Sequence, residues 1–235
     1  MKGENKKNPS LKYAIDFFNC IFSRLIFLNQ PSGSYSKLQV INLFGPPGVG
    51  KSVISAAVYA ELSKNGLNVE LCTEYAKSLV YEQRTDILKT DQLYVLAKQN
   101  RKLYTLQDKN LDYVVIDSPL FLQMIYNNPE NLDQVLFEKL VVTLFNKYNN
   151  FNIYLERGKE YSFQLTGRIH NEEESKVLGE QIKSKLEEYE VPYISIKSNS
   201  RTVNKIVSLI YQQRLSSNPA AEFEKSKVAA EKEGR

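Results

Sequence analysis

Gly45-Pro-Pro-Gly-Val-Gly-Lys-Ser52 is the stretch of this chain in which residue type and spacing converge on one chemistry. It fills every fixed position of G-x-x-x-x-G-K-[ST], a pattern in which backbone N–H groups turn inward around a polyphosphate. Glycines are needed because such a turn uses backbone conformations and close approaches that a Cβ obstructs. Pro46 and Pro47 carry no N–H, so the donors are expected from Gly48 through Ser52. Lys51 is expected to reach the β- and γ-phosphates, and the Ser52 hydroxyl to bind Mg²⁺. A helix leaving the loop at Lys51 adds positive potential at the same place. The candidate nucleotide-binding residues are therefore Gly45, Gly48, Val49, Gly50, Lys51, Ser52 and Val53. ATP or GTP is the implied ligand, and the absence of an N-K-x-D guanine signature favours ATP.

A nucleotide-bound Mg²⁺ keeps several waters and takes few protein oxygens, so a second acid is expected near Ser52. Asp117 has the right form, because Tyr113-Val-Val-Ile-Asp117 reads as an apolar strand ending in a carboxylate. The competing role for this acid is capping a helix that begins after Ser118-Pro119. Glu74, just past the run Asn68–Cys72, is placed to accept a proton from an attacking hydroxyl or to bind a substrate hydroxyl. Its alternative is a first-turn helix acid favoured by the helix dipole. Phosphoryl transfer also requires cations over the phosphate oxygens. The segment from Arg157 through Lys159 and Gly167-Arg168 to His170 supplies them in a glycine-containing stretch with little apolar periodicity. Arg157 and Arg168 are the leading candidates, Lys159 follows, and His170 reads as an ordinary loop residue.

The elements that must hold these groups alternate along the chain. Candidate strands are 38–44, 68–72, 113–117, 151–155 and 192–196, each nearly continuous in apolar residues and so suited to burial on both faces. Helical patterns occupy 51–66, 91–107, 132–148, 172–190 and 201–215. Such alternation implies an α/β domain, a parallel sheet with helices on both faces. The domain is expected at 37–214. Before it, residues 1–36 form an extension in which the apolar run 11–28 reads as a helix packed on the domain, or alternatively as an amphipathic segment docking on a partner or membrane surface. After it comes a polar tail, 215–235, rich in Ala, Glu and Lys.

Composition narrows the classes further. The 235 residues are 42% hydrophobic and 25% charged, within the range of one globular domain with appendages. A net charge of +4 is too small to indicate a protein that coats nucleic acid. Two cysteines and one histidine make neither a disulfide framework nor a typical structural zinc site, which suits a reducing cytoplasm. Lys12, Asp16 and Arg24 interrupt the 11–28 run, so stable membrane insertion is not expected.

GPPGVGKS, TEYAK, DYVVIDSPL and ERGKEYSFQLTGRIHNEEES together resemble the NadR-like, nicotinamide riboside kinase-type P-loop kinases within the AAA and nucleoside kinase families, a group that includes many phage ATP-binding proteins. The resemblance covers residues 38–212. It implies a P-loop NTPase fold whose five-stranded parallel sheet runs 2-3-1-4-5. It also implies that Glu74 serves as base or substrate anchor, that Asp117 is the acid after the third strand, and that Arg157 and Arg168 are lid arginines. Asp91, Gln92, Gln99 and Arg101 fall where such enzymes contact the acceptor. The chain departs from nucleoside kinases at Asp117-Ser118-Pro119, where Glu-Arg-Ser is common. The expected activity is ATP- and Mg²⁺-dependent phosphorylation of a hydroxyl on a nucleoside, nucleotide or related ribosyl compound. Lys51, Glu74, Asp117, Arg157 and Arg168 would be catalytic, and Ser52 and Asp117 would hold the metal. Alternatives are a kinase of modified bases in DNA and a nucleotide-gated NTPase or binding protein. A small nucleoside-like acceptor is the expected partner, ahead of DNA, and a homodimer is an assembly the sequence leaves open.

Overall fold

Alternating side chains of parallel strands supply apolar groups to both faces of a sheet, and here each face is covered by its own helical layer. The computed structural model describes residues 38–158 and 171–217. The 1–36 extension, the tail beyond Ser217, and Lys159, Arg168 and His170 lie outside the described residues.

In chain order the elements are β1 (Gln39–Phe44), α1 (Lys51–Lys64), β2 (Val69–Cys72), α2 (Tyr75–Tyr81), α3 (Thr85–Thr90), α4 (Gln92–Tyr104), β3 (Tyr113–Ile116), a 3-10 helix (Leu120–Ile125), α5 (Gln134–Phe145), β4 (Asn149–Glu156), α6 (Glu172–Glu188), β5 (Ile194–Lys197) and α7 (Thr202–Ser217). The sheet is five-stranded in the order β2-β3-β1-β4-β5, and every pairing is parallel. This is the strand order the resemblance implies. Among the described residues no helix is long and apolar enough to cross a membrane.

Two expectations need correcting. Burial on both faces holds for the central strands, whereas β2 and β5 expose Glu70, Ser195 and Lys197 because an edge strand has a neighbour on one side only. β5 also begins at Ile194 rather than 192, since its pairing with β4 starts at Ile153 opposite Ile194. The segment between β2 and β3 holds α2 and α3 ahead of α4, two short helices too brief to show a helical period.

One face of the sheet presents Val40, Phe44, Val114, Ile116 and Tyr154 to α4, α5, α6 and the 3-10 helix. Phe44, Phe121 and Phe145 pack there with ring centroids 5.5–6.4 Å apart. The other face presents Ile41, Leu43, Val115, Ile153 and Leu155 to Ile54, Val58 and Leu62 of α1 and to Ile206 and Ile210 of α7. Each such aliphatic or aromatic side chain contributes about 1.5–3 kcal/mol on burial, so the two layers together dominate the favourable side of folding.

Polar groups inside the first layer are matched to one another. Asn42 of β1 donates its Nδ2 to Asn150 Oδ1 at 2.8 Å and to Asn152 Oδ1 at 2.9 Å on β4. Asn150 in turn donates to the Phe145 and Tyr148 carbonyls, and Asn152 to the Pro192 carbonyl. Between α5 and α6, the Glu138 carboxylate is only 5% exposed and accepts from Tyr189 at 2.6 Å, Gln134 at 2.6 Å and Lys185 at 2.9 Å. Burial pushes the Glu138 pKa up, but the hydrogen bonds from Tyr189, Lys185 and Gln134 outweigh it and hold the carboxyl below the usual 4.5.

Replacing Asn42 by Val removes the donor shared by the side-chain oxygens of buried Asn152 and half-buried Asn150 and is expected to cost about 1–3 kcal/mol in urea-unfolding measurements. Because the Glu138 pKa is lowered on folding, its contribution is present in full above the ordinary value of 4.5 and is lost as pH falls through the folded value. Thermal midpoints of the native protein and Glu138→Gln, followed from neutral to acid pH, should therefore lie far apart at neutrality and converge in acid.

Candidate active site

β1 ends at Phe44 and the chain enters the loop through three glycines with left-handed backbone angles, Gly45 at φ 136°, Gly48 at 80° and Gly50 at 96°. At Gly45 space is as decisive as angle, because a Cβ there would lie 2.6 Å from the Leu155 carbonyl oxygen and 3.1 Å from Val49 Cγ1. Val49 itself is 1% exposed and packs in the second layer, so its backbone, not its side chain, is what the loop presents. Gly50 is the N-cap of α1, and the first helical hydrogen bond runs from Ile54 N–H to the Gly50 carbonyl. The amides ahead of that bond are those at the positive end of the helix. Lys51 curls back over the loop and donates its Nζ to the Gly45 carbonyl at 2.7 Å and the Pro46 carbonyl at 3.1 Å. Val53 is 63% exposed on the outer face of α1, so its side chain does not line the loop's cavity.

A cavity of about 260 Å³ opens beside the loop, lined by Ser52 and Ser55 of α1, by Thr73, Glu74, Lys77, Ser78 and Tyr81 around α2, and by Asp117. Asp117 directly follows β3 and is 3% exposed, and its Oδ1 has no hydrogen-bond partner among the described residues. A buried carboxylate oxygen without a donor is strongly disfavoured unless a cation or an ordered water meets it. Capping does not occupy this acid, because the following 3-10 helix takes Pro119 as its N-cap. Glu74 stands at the N-cap position of α2, yet its side chain makes no cap hydrogen bond. Burial, with the nearby Glu74 charge as a second cause, raises the pKa of the Tyr126 hydroxyl, so Tyr126 belongs to the surroundings of this acid.

Arg157, immediately beyond β4, reaches the loop from the opposite side. Its Nη2 donates to the Pro47 carbonyl at 3.3 Å and to Ser175 Oγ at 3.1 Å, and its Nη1 lies 3.8 Å from Glu172 Oε1. Ser175 is fully buried and donates to the same Pro47 carbonyl at 2.6 Å. The arginine expected on a moving lid is thus held against the phosphate-binding loop. Gly158, the next residue, touches the β5–α7 turn so closely that a Cβ would collide with the Ser198 carbonyl.

The α4 residues serve the fold more than the cavity. Asp91 caps α4 by accepting from Tyr94 N–H at 2.9 Å, Gln92 donates to the Leu88 carbonyl, and Arg101 lies over the Tyr104 ring. Gln99 is 1% exposed and bonds to the turn that carries Glu74. Cys72 lies under this turn; burial is the main cause that pushes its thiol up to about 12, with Lys102 opposing and Asp117 adding to it, so it remains a protonated thiol. Sequence reasoning missed Lys77, Ser78, Tyr81 and Tyr126. The first three lie on a helix too short to recognise, and Tyr126 meets Glu74 only through tertiary packing.

A sequence model of a family described as an AAA domain matches residues 40–202, more than half of the chain. A comparison with curated proteins finds no match. Among solved structures, the chain is similar to deoxyadenosine kinase from M. mycoides with bound dCTP, at 17% identity and TM-score 0.47, over 75% of this chain and 99% of that one. It is also similar to thymidylate kinase from Ehrlichia chaffeensis, at 16% identity and TM-score 0.49, over 74% of this chain and 97% of that one.

Gly45→Ala is expected to cost about 1–3 kcal/mol of stability through backbone strain and to displace the loop from Leu155, abolishing binding of a fluorescent ATP analogue. Gly66→Ala is the control, because Gly66 shares a positive φ of 81° but a Cβ there meets nothing within 4 Å. It should lose stability and keep nucleotide affinity.

Proposed function

The chain belongs to this AAA domain family, and from that membership we propose that it is an ATP- and Mg²⁺-dependent phosphotransferase acting on a hydroxyl of a nucleoside, nucleotide or related ribosyl compound. One observation carries the reading: a single cavity brings Ser52 from the phosphate-binding loop together with Glu74 and Asp117 from two other strand ends. A nucleotide-binding protein needs the loop and a metal carboxylate, whereas a second acid across the same cavity supplies a base for an attacking hydroxyl. The sequence likeness to nicotinamide riboside kinase-type enzymes makes a ribosyl acceptor the first choice.

In this reading the loop amides and Lys51 bind the triphosphate, and the positive end of α1 adds to their field. Ser52 and Asp117 would hold Mg²⁺, and the orphan Asp117 Oδ1 fits that role. Bound there, the metal would neutralise charge between the phosphates. Glu74 accepts the proton of the acceptor hydroxyl as its oxygen attacks the γ-phosphorus, and ADP leaves. Arg157, held at the Pro47 carbonyl, lies at the loop to meet charge on the transferring group, and Arg168 would join it. Lys77 lines the same cavity as Glu74, where the acceptor must enter.

The test offers Mg-ATP with a panel of nucleosides, nicotinamide riboside, mononucleotides and DNA carrying modified pyrimidines, and reads phosphorylated product by mass. Product on a small ribosyl compound is the expected result, and Glu74→Gln should reduce it by about 100-fold or more while nucleotide affinity holds. ADP without any phosphorylated acceptor would overturn the proposal.

A further inference from the structure

Helix α2 begins at the residue that follows Glu74, and the first amides of a helix need acceptors from outside it. The ordinary acceptor is the side chain at the N-cap position, which here is Glu74. Glu74 makes no such bond. The Tyr75 N–H instead donates to Gln99 Oε1, 2.9 Å away on α4. The same amide group donates its Nε2 to the Thr73 carbonyl at 3.4 Å and to Cys72 Sγ at 3.5 Å. One side chain thus grips the backbone on both sides of Glu74, before it at Thr73 and after it at Tyr75.

The two ends of the amide are not interchangeable. Oxygen must face the Tyr75 N–H and nitrogen must face the Thr73 carbonyl, so the grip has a single orientation. Gln99 is 1% exposed, in the first apolar layer's neighbourhood where water does not compete. Lys102, three residues further along the same helix, donates its Nζ to the same Thr73 carbonyl at 2.8 Å and reinforces it from the outside. An acid used as its own helix's cap would be bent back onto the amides. With capping transferred to α4, Glu74 does not turn back onto α2 and lines the cavity with Ser52 and Asp117.

We infer that Gln99 is a positioning residue, a cap supplied by another helix that fixes the Glu74 backbone so that its carboxylate meets the acceptor hydroxyl. The inference rests on the proposed role of Glu74. It differs from the expectation that Gln99 touches the acceptor, since both ends of its amide are engaged by the turn. Misplacing a reacting group by about 1 Å can cost on the order of 100-fold in rate, and this sets the scale of the effect.

The experiment compares the native protein with Gln99→Met, which keeps volume and removes the three amide bonds, and Gln99→Glu, which keeps the acceptor for Tyr75 N–H and removes the donor to Thr73 and Cys72. Three quantities are measured: nucleotide affinity, acceptor phosphorylation with its kcat and KM, and hydrogen exchange at the Tyr75 amide. Gln99→Met should bind nucleotide as the native protein does, lose about 100-fold in kcat for the acceptor, and hydrolyse more ATP per acceptor phosphorylated. Its Tyr75 amide should lose protection, and Gln99→Glu should fall between the two. Native kcat in Gln99→Met overturns the inference. So does a parallel fall in nucleotide binding and kcat that tracks loss of folded protein, which marks a purely structural role. If neither variant folds, an unprotected Tyr75 amide in the native protein still overturns it, and slow exchange supports it. Failure of the underlying reading shows separately, as native turnover in Glu74→Gln.

Discussion

Two strand ends lie so close that the chain can pass between them only without a side chain. β1 leaves the sheet at Gly45, directly against the backbone of Leu155 in β4, and this contact determines where the loop begins and how sharply it turns. Everything around it accommodates that crossing. Phe44 is wedged among Phe121 and Phe145 immediately before the turn, so the strand cannot drift. Val49 is driven into the opposite layer just after it. Beyond Leu155, Arg157 and Ser175 both hold the Pro47 carbonyl, so the outer rim of the loop is fastened to β4 and α6.

Parallel strands bring the remaining groups to the same end of the sheet. The loop follows β1, Glu74 follows β2, Asp117 follows β3 and Arg157 follows β4, each within a few residues of the last paired position. The fold therefore needs no long excursions to collect a site. Chemistry differs from strand to strand because the surroundings differ. Asp117 is deeply buried with an orphan oxygen, suited to a cation, whereas Glu74 stands at a more open turn, suited to exchange protons with a bound hydroxyl.

Features carried by contiguous residues were legible in the sequence. The loop motif, the apolar run ending in Asp117 and the five alternating strands needed only local pattern, and all appear where the pattern puts them apart from the shifted β5. What escaped depended on contacts across the fold. Glu70, Ser195 and Lys197 show edge strands that apolar content alone could not distinguish from central ones. Gln99 stands at a position that resemblance assigns to the acceptor, yet its partners are two backbone groups 24 and 26 residues earlier and the Cys72 sulfur. No local signal separates a glutamine that binds substrate from one that holds a turn.

The asparagines shared by β1 and β4 bear on how faithfully the chain reaches this arrangement. Asn42 lies opposite Asn152 in the native register. A slip of one residue would set it against Phe151 or Ile153 and turn every side chain of the strand to the other layer. Apolar strands alone tolerate such mispairing, since most of their side chains suit either layer. A buried amide does not, because its partners exist at one alignment only. The ladder therefore acts as a registration mark: it rejects the sheets in which Gly45 and Leu155 would fail to meet, and so guards the loop during folding from well inside the core.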